Sequence, residues 1–487
     1  MKKILQYSGA LLISGVLFSA CNKNLELAPP YQLTTANAFT NLESFNQQLS
    51  GVYGGGTTTS AGFASPNYYN GFLGPTADIF TDNLYETIES LVNYQAESNW
   101  DYLSNSFYMQ ETWRQPYNVI FQANSIINNI DKFKDENVKK YNRILGQALT
   151  ARAIAHFDVL KSRANNLDRN SSDLGVPVVK TTEIALPARN TVKEVYDAIY
   201  ADLTQAITLL SDVDININSS TSRAFLDVWG ARAAFARVSL YAKDYATAIT
   251  SSTAVINQFP LANRTNYPGV WNDSRIDEVI WAIQNNSGDP GTPFPSSEVM
   301  SFRFNRNTYG IHPSLISLYD QVNDVRFSTF YFVRNTTGGS TNYALQKFRG
   351  KGAASDNLVN FKVFRTSEMY LIRAEANAQT GKPVEANLDL STLKTARIAG
   401  YVHVPLAGQA LLDEIQNERR RELAAEGHRW FDLKRTTRVI NRPVTGIGNR
   451  NAQVKTSLTS TSPKWVWPIP EVEVRANPNI VQNPGYQ

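Results

Sequence analysis

Glu418, Glu422 and Glu426 recur at four-residue spacing in the run Glu418-Arg-Arg-Arg-Glu-Leu-Ala-Ala-Glu-Gly-His-Arg-Trp-Phe-Asp-Leu-Lys-Arg435. On a helix that spacing brings the three carboxylates to one face. Carboxylates beside an imidazole, here His428, are the residue types of general acid–base chemistry. The rest of the chain withholds what an enzyme would need. The four histidines, His156, His312, His403 and His428, are scattered and form no His-Glu-x-x-His pair. No Gly-x-Ser-x-Gly elbow and no phosphate-cradling glycine loop followed by Lys-Ser/Thr occurs. A glycosidase needs two carboxylates about 5–10 Å apart, a geometry that spacing along a chain does not encode among 43 acidic residues. No Asp-x-Asp-x-Asp-Gly calcium loop is present. The expectation is a protein without catalysis, metal or cofactor.

The same run has a structural reading. Leu412, Ile415 and Leu423 give its helix an apolar stripe, which leaves Glu418, Arg421 and Glu422 on flanking faces. Arginine forks satisfy carboxylates bidentately. Gly427 can supply the left-handed residue that ends the helix. Trp430, Phe431 and Leu433 then return to the core, with Arg429 and Asp432 beside them. These residues are expected to tie a corner of the fold together.

A chain of 487 residues has room for a sizeable core. Its net charge of +4, from 47 basic and 43 acidic residues, gives no sign of a nucleic-acid surface. The single cysteine says more. Cys21 follows Met-Lys-Lys, an apolar run from Gly9 to Phe18 and the small pair Ser19-Ala20. Residues 1–20 therefore resemble a bacterial lipoprotein signal with Cys21 as the lipidated residue. At ~0.8 kcal/mol per buried methylene, several acyl chains would hold such a protein to a membrane durably. Polar residues 21–35, with Pro29-Pro30, read as a tether.

Helical periodicity dominates the remainder. A first helix is expected over about Ala36–Tyr53, with Phe39, Leu42, Phe45 and Leu49 on one face. An irregular, aromatic-rich stretch then runs to about Trp100, a length usually reserved for function. Trp113, Tyr117, Ile120, Asn124 and Ile127 mark a helix that Pro116 should kink or restart. Leu145 to Leu160 form the next face, and Thr191-Val-Lys-Glu194 is a capping box opening another. Two antiparallel helical pairs follow, at about Leu226–Ile256 and Glu368–Ala399, with alanines where the partners would touch. They look like tetratricopeptide pairs without a regular 34-residue period. Between them, Glu278–Ile283 reads as a short buried strand and Asn285–Tyr309 as loop. Trp113, Trp229 and Trp281 sit on apolar faces and are expected in the core. The fold class is mainly α, with helical pairs, long loops and a few short strands.

Taken together, several features resemble the SusD/RagB family of nutrient-uptake lipoproteins of Bacteroidetes. They are the signal, the Trp113…Tyr117…Ile120…Asn124 helix, Met369…Glu375-Ala376-Asn377, the Glu418–Arg435 run, and the close Pro468-Ile-Pro470…Asn477-Pro478…Gln482-Asn-Pro-Gly-Tyr486. The resemblance spans the mature chain. It implies one SusD-like domain over 36–487, with an N-terminal part to about 260 and a C-terminal part from about 261. It also implies an outer-membrane, surface-exposed lipoprotein that captures glycans, or in some members peptides, for a SusC-like TonB-dependent transporter. The family's ligand loops diverge, so no binding residue is carried over from it.

For a sugar ligand, flat aromatic faces and amide or carboxylate groups are the residues to seek. A face covering ~50 Å² contributes about 1 kcal/mol. The irregular stretches offer Tyr68, Tyr69, Phe72, Trp100, Phe294, Phe304 and Tyr309 as platforms. Asp78, Asp82, Asn83 and Asn285 are their hydroxyl partners. The alternative is that these aromatics pin the loops to the core. A protein-binding scaffold is the competing function, but it would be expected to carry more regular repeats and shorter aromatic loops.

Overall fold

The computed structural model describes residues 38–54, 62–215, 217–286, 306–335, 341–354, 358–443 and 454–486. Helix α1, Leu42–Tyr53, starts later than its periodicity suggests because Asn41 caps it, accepting from the Ser44 amide at 3.0 Å. Helices α2 (Phe107–Ile127), α3 (Val138–Arg163), α4 (Val192–Leu210), α5 (Val228–Tyr241), α6 (Tyr245–Gln258), α7 (Thr366–Gln379), α8 (Pro383–Thr395) and α9 (Gly408–Glu422) follow. From α2 to α7 each packs on the next, and α7 then meets both α8 and α9. The paired-helix architecture expected from periodicity is the one observed.

Helix α3 is the axis of this array. Every residue from Ile144 to Arg163 is buried, so its polar groups must find partners inside the protein. Arg152 grips Asp202 of α4 with two bonds of 2.8 and 2.7 Å. Burial presses the His156 imidazole down to about 3, so the ring is neutral and its Nε2 accepts from the Val179 amide. Gly146 lets α4 come close: a Cβ there would sit 2.6 Å from Leu210 Cγ.

Pro116 does not restart α2, which is continuous through it. A proline withholds the N–H that the carbonyl four residues earlier would accept. That carbonyl, of Thr112, instead accepts from Arg163 Nη1 at 3.0 Å. The capping box at α4 closes in both directions, Thr191 Oγ1 accepting from the Glu194 amide and Glu194 from the Thr191 amide. Between α5 and α6 the turn uses Lys243 at φ 58°, and Asp244 caps α6 through the Thr247 amide.

Short antiparallel strand pairs sit beside the helices. Strand β1 (Leu84–Glu86) pairs with β3 (Tyr309–Ile311), β2 (Val279–Ile283) with β6 (Phe361–Arg365), and β4 (Tyr331–Asn335) with β5 (Thr341–Leu345). The stretch read as irregular up to Trp100 thus contains β1 and a 3-10 turn at Pro75–Phe80. Helix α9 stops at Glu422, five residues before the helix end expected at Gly427. Gly427 is left-handed at φ +80°, and a Cβ on it would meet the Leu73 carbonyl oxygen at 2.1 Å. The glycine serves close chain approach rather than helix termination. Helices α10 (Arg429–Arg435) and α11 (Glu471–Ala476) complete the chain, the latter in a tail whose composition reads as irregular.

Candidate functional site

The Glu418–Arg435 run forms an ionic cage, not a reactive centre. The Glu422 carboxylate accepts from Arg365 at 2.8 Å, Arg326 at 3.0 Å, Arg397 at 3.2 Å and the Tyr267 hydroxyl at 3.1 Å. Glu418 takes Arg326 at 2.6 Å and Arg421 at 2.8 Å, while Glu426 takes Lys347 at 2.6 Å. Burial alone would raise Glu422 and Glu418. The guanidiniums of Arg397, Arg365 and Arg326 instead hold Glu422 well below its ordinary value, and Arg326 and Arg421 bring Glu418 to about 2. Burial and the nearby Arg237 and Arg419 push the His428 imidazole well below its ordinary range, so it does not carry a proton at neutral pH.

The same cage reaches into the expected ligand loop. Arg429 binds both oxygens of Asp82 at 2.8 Å, and Arg420 donates to Asn83 Oδ1 at 2.8 Å. Asp432 joins Arg419 to Arg435. Trp430 is fully buried, with its ring centroid 4.6 Å from Trp465 and 5.4 Å from Phe80.

The expected ligand platforms lie on the inner side of their stretch. Tyr68 is 0 % exposed, stacks on Tyr69 at 4.7 Å, and both hydroxyls donate to Asp158 of α3. Phe72 stacks on Tyr108 at 4.1 Å. The Trp100 indole N–H donates to the Phe80 carbonyl, and Arg442 covers its ring at 4.4 Å. Tyr309 is buried and donates to the Asn93 carbonyl at 2.5 Å. Asp78 is buried, accepting from Asn83 Nδ2 and the Ala425 amide, each at 2.8 Å; burial pushes its carboxyl up to about 6. Asn285 pairs with Asn70. The rings are packed within the protein and the polar groups are partnered there, Asp78 Oδ1 excepted, which argues against these residues as ligand contacts. Phe294 and Phe304, like Cys21, lie outside the described residues.

What the stretch turns outward is a different set. Ile88, Leu91 and Val92 are exposed, and Phe107 is 61 % exposed at the start of α2. Phe107 stands edge-on to the buried Phe72 at 6.0 Å, and half-buried Tyr94 does the same at 5.8 Å. Glu89 fixes this rim to the neighbouring strands, accepting from the Asn307 amide at 2.6 Å and from Arg334 of β4 at 3.2 Å. Val333 is exposed next to that arginine. Apolar faces interleaved with the exposed amides of Asn93 and Asn335 suit a ligand with both C–H and hydroxyl surfaces. No period distinguishes inward from outward side chains in irregular backbone, so the sequence did not separate the packed aromatics from the exposed rim.

A second concavity of about 630 Å³ follows α2, lined by Trp113, Tyr117 and Phe121 on one side and by residues 177–187 and α11 on the other. Among the described residues no group of three or more His, Cys, Asp or Glu could hold a metal ion. No described helix is long and apolar enough to cross a membrane.

Comparison with known proteins places the architecture. Residues 64–240 match a SusD-like family described as "Starch-binding associating with outer membrane", and residues 318–486 match the SusD family. A SusD-like protein of Formosa agariphila is 23% identical over 98% of this chain and 98% of its own. The crystal structure of a SusD superfamily protein from Bacteroides vulgatus superposes with TM-score 0.79 at 25% identity, over 92% of this chain and 100% of that one. A SusD superfamily protein from Bacteroides thetaiotaomicron shares the fold at TM-score 0.78 and 23% identity, over 91% of this chain and 100% of its own. With one family match in each half, a relative aligned end to end and a common fold throughout, this chain belongs to the SusD/RagB family.

Proposed function

We propose that the protein is a glycan-capture lipoprotein, held through Cys21 at the outer-membrane surface, that delivers oligo- or polysaccharide to a SusC-like TonB-dependent transporter. The observation that carries this reading is the match of residues 64–240 to a family described as starch-binding and associating with the outer membrane. That span contains β1 and the outward face formed by Ile88, Leu91, Val92, Tyr94 and Phe107.

The chemistry of that face agrees with capture followed by release. Phe107 offers a ring for the C–H side of a sugar, at about 1 kcal/mol. The aliphatic side chains extend the contact, and the exposed amides take hydroxyls. A few such contacts, less the cost of association, leave affinities of about millimolar to micromolar. Calorimetry of the lipid-free protein against soluble polysaccharides tests the reading directly. Phe107→Ala combined with Leu91→Ala should weaken binding about tenfold or more while leaving the fold intact, since both side chains are exposed. Unchanged affinity in that variant would move the site off this face. The transporter partnership is checked by mild solubilisation of native membranes: a large outer-membrane barrel should co-purify, and recovery of the lipoprotein alone would count against it.

A further inference from the structure

The cleft along α2 has features that the capture face does not use. Trp113, Tyr117 and Phe121 follow one another at four-residue steps and form a strip of rings, Trp113 and Tyr117 being 4.8 Å apart. Phe121 is 53 % exposed, so its ring is open to a ligand in the cleft. The Tyr117 hydroxyl is tied to the Pro177 carbonyl at 2.9 Å, which fixes its ring against the facing segment. That segment is itself held open. Asn124 donates to the Val179 and Thr181 carbonyls, Asn477 to the Pro187 carbonyl and Asn479 to the Leu186 carbonyl. The walls are therefore built, and the space of about 630 Å³ between them lies within the range of small-ligand sites.

The polar groups narrow the ligand class. Arg114 and Lys180 stand in the lining against Glu183 and Glu473, two charges of each sign, so the cleft has no net preference for an ion. Arg114 is already paired with Glu111. The Glu473 carboxylate has no hydrogen-bond or ion-pair partner among the described residues, and burial alone raises its pKa. A partly desolvated acceptor beside a strip of rings, with the Asn118 amide in the same lining, matches a ligand whose faces are C–H and whose edges are hydroxyl.

We propose that this cleft is a second saccharide site, taking a neutral oligosaccharide segment with its rings on Tyr117 and Phe121 and hydroxyls donated to Glu473. Fourteen residues of helix separate Phe107 from Phe121, about 21 Å at 1.5 Å per residue. A long glycan can engage both places on one molecule, and the second contact then forms at high effective concentration. Polymer affinity accordingly exceeds that of short oligomers by more than the count of contacts would give.

The test uses the full mature chain without lipid and two kinds of probe. Trisaccharides of α-glucan, β-glucan, xylan and mannan report single sites; the corresponding soluble polysaccharides report the pair. Phe121→Ala and Glu473→Gln alter exposed or half-exposed side chains, and thermal melting checks their folding. At least one trisaccharide should bind the unaltered chain and Phe107→Ala, and bind about tenfold more weakly to Phe121→Ala and Glu473→Gln. Trisaccharide binding unchanged in both cleft variants would overturn the second site, as would polysaccharide binding with no trisaccharide bound. Both outcomes leave the capture reading in place. Binding in the cleft of an uncharged peptide but of no trisaccharide would also overturn it. Failure of the capture reading is separate: no polysaccharide binds the unaltered chain.

Discussion

At the scale of single residues, the buried charges decide more than the aromatics do. Glu422 receives Arg326, Arg365 and Arg397 in a volume closed to water, so removing its charge strands three guanidiniums. Breaking such a buried set costs about 3–5 kcal/mol. Glu422→Gln should lose about that much in chemical denaturation, whereas Glu471→Gln, which breaks the surface pair with Arg475, should lose under about 1 kcal/mol. The network also shapes the response to acid. Glu418 titrates at about 2 in the fold, below its ordinary 4.5, so its contribution is complete above about 4.5 and is lost as pH falls through 2.

Asp78 acts in the opposite sense. Burial raises it from 3.8 to about 6, so the folded state keeps a proton that the unfolded chain gives up, and stability declines as pH rises between those values. Asp78→Asn should remove that decline, gaining up to about 2–3 kcal/mol on the unaltered protein at pH 7. Parallel stability curves for the two proteins from pH 4 to 7 would contradict it. None of these partners could be read from the sequence. Asp82 and Arg429 lie 347 positions apart, and only the fold brings them to 2.8 Å.

At the scale of elements, legibility followed length and period. The pairs α5–α6 and α7–α8 were readable because an apolar face repeats through three or more turns and Gly381 or Asp244 marks the turn. Strands β1 and β3 have three residues each and β6 is buried on both faces, so none shows the alternation that identifies a strand, whereas β2 was readable as a short buried apolar run. Pro116 misled for a different reason: its cost is met by Arg163, 47 residues away. Gly427 likewise needed the fold to explain it.

Gly427 and Gly381 share a left-handed backbone, at φ +80° and +74°, but only Gly427 is crowded by the Leu73 carbonyl. Gly381→Ala should therefore cost about 1 kcal/mol. Gly427→Ala should cost several times that, because backbone must move as well. Urea midpoints for the two variants settle the comparison, and equal losses would remove the close-approach explanation.

At the scale of the whole molecule, family and fold were legible because the Glu418–Arg435 run and the Gln482-Asn-Pro-Gly ending are parts of the scaffold. The run locks α9 and α10 to the strands and to residues 78–83, which explains why so charged a segment carries the fold. The inward and outward faces of the aromatic stretch were not separable in the sequence. Aromatic density marked the stretch to about Trp100, but Tyr68, Tyr69, Phe72 and Trp100 pack inward and leave the aliphatic rim, with Phe107 beyond that stretch, to meet solvent. Capture at the surface is the claim on which the rest depends. Calorimetric titration of the lipid-free protein with a set of soluble polysaccharides tests it most directly. At least one should bind with millimolar to micromolar affinity and lose about tenfold or more in Phe107→Ala combined with Leu91→Ala. No heat with any polysaccharide from a folded protein would contradict it.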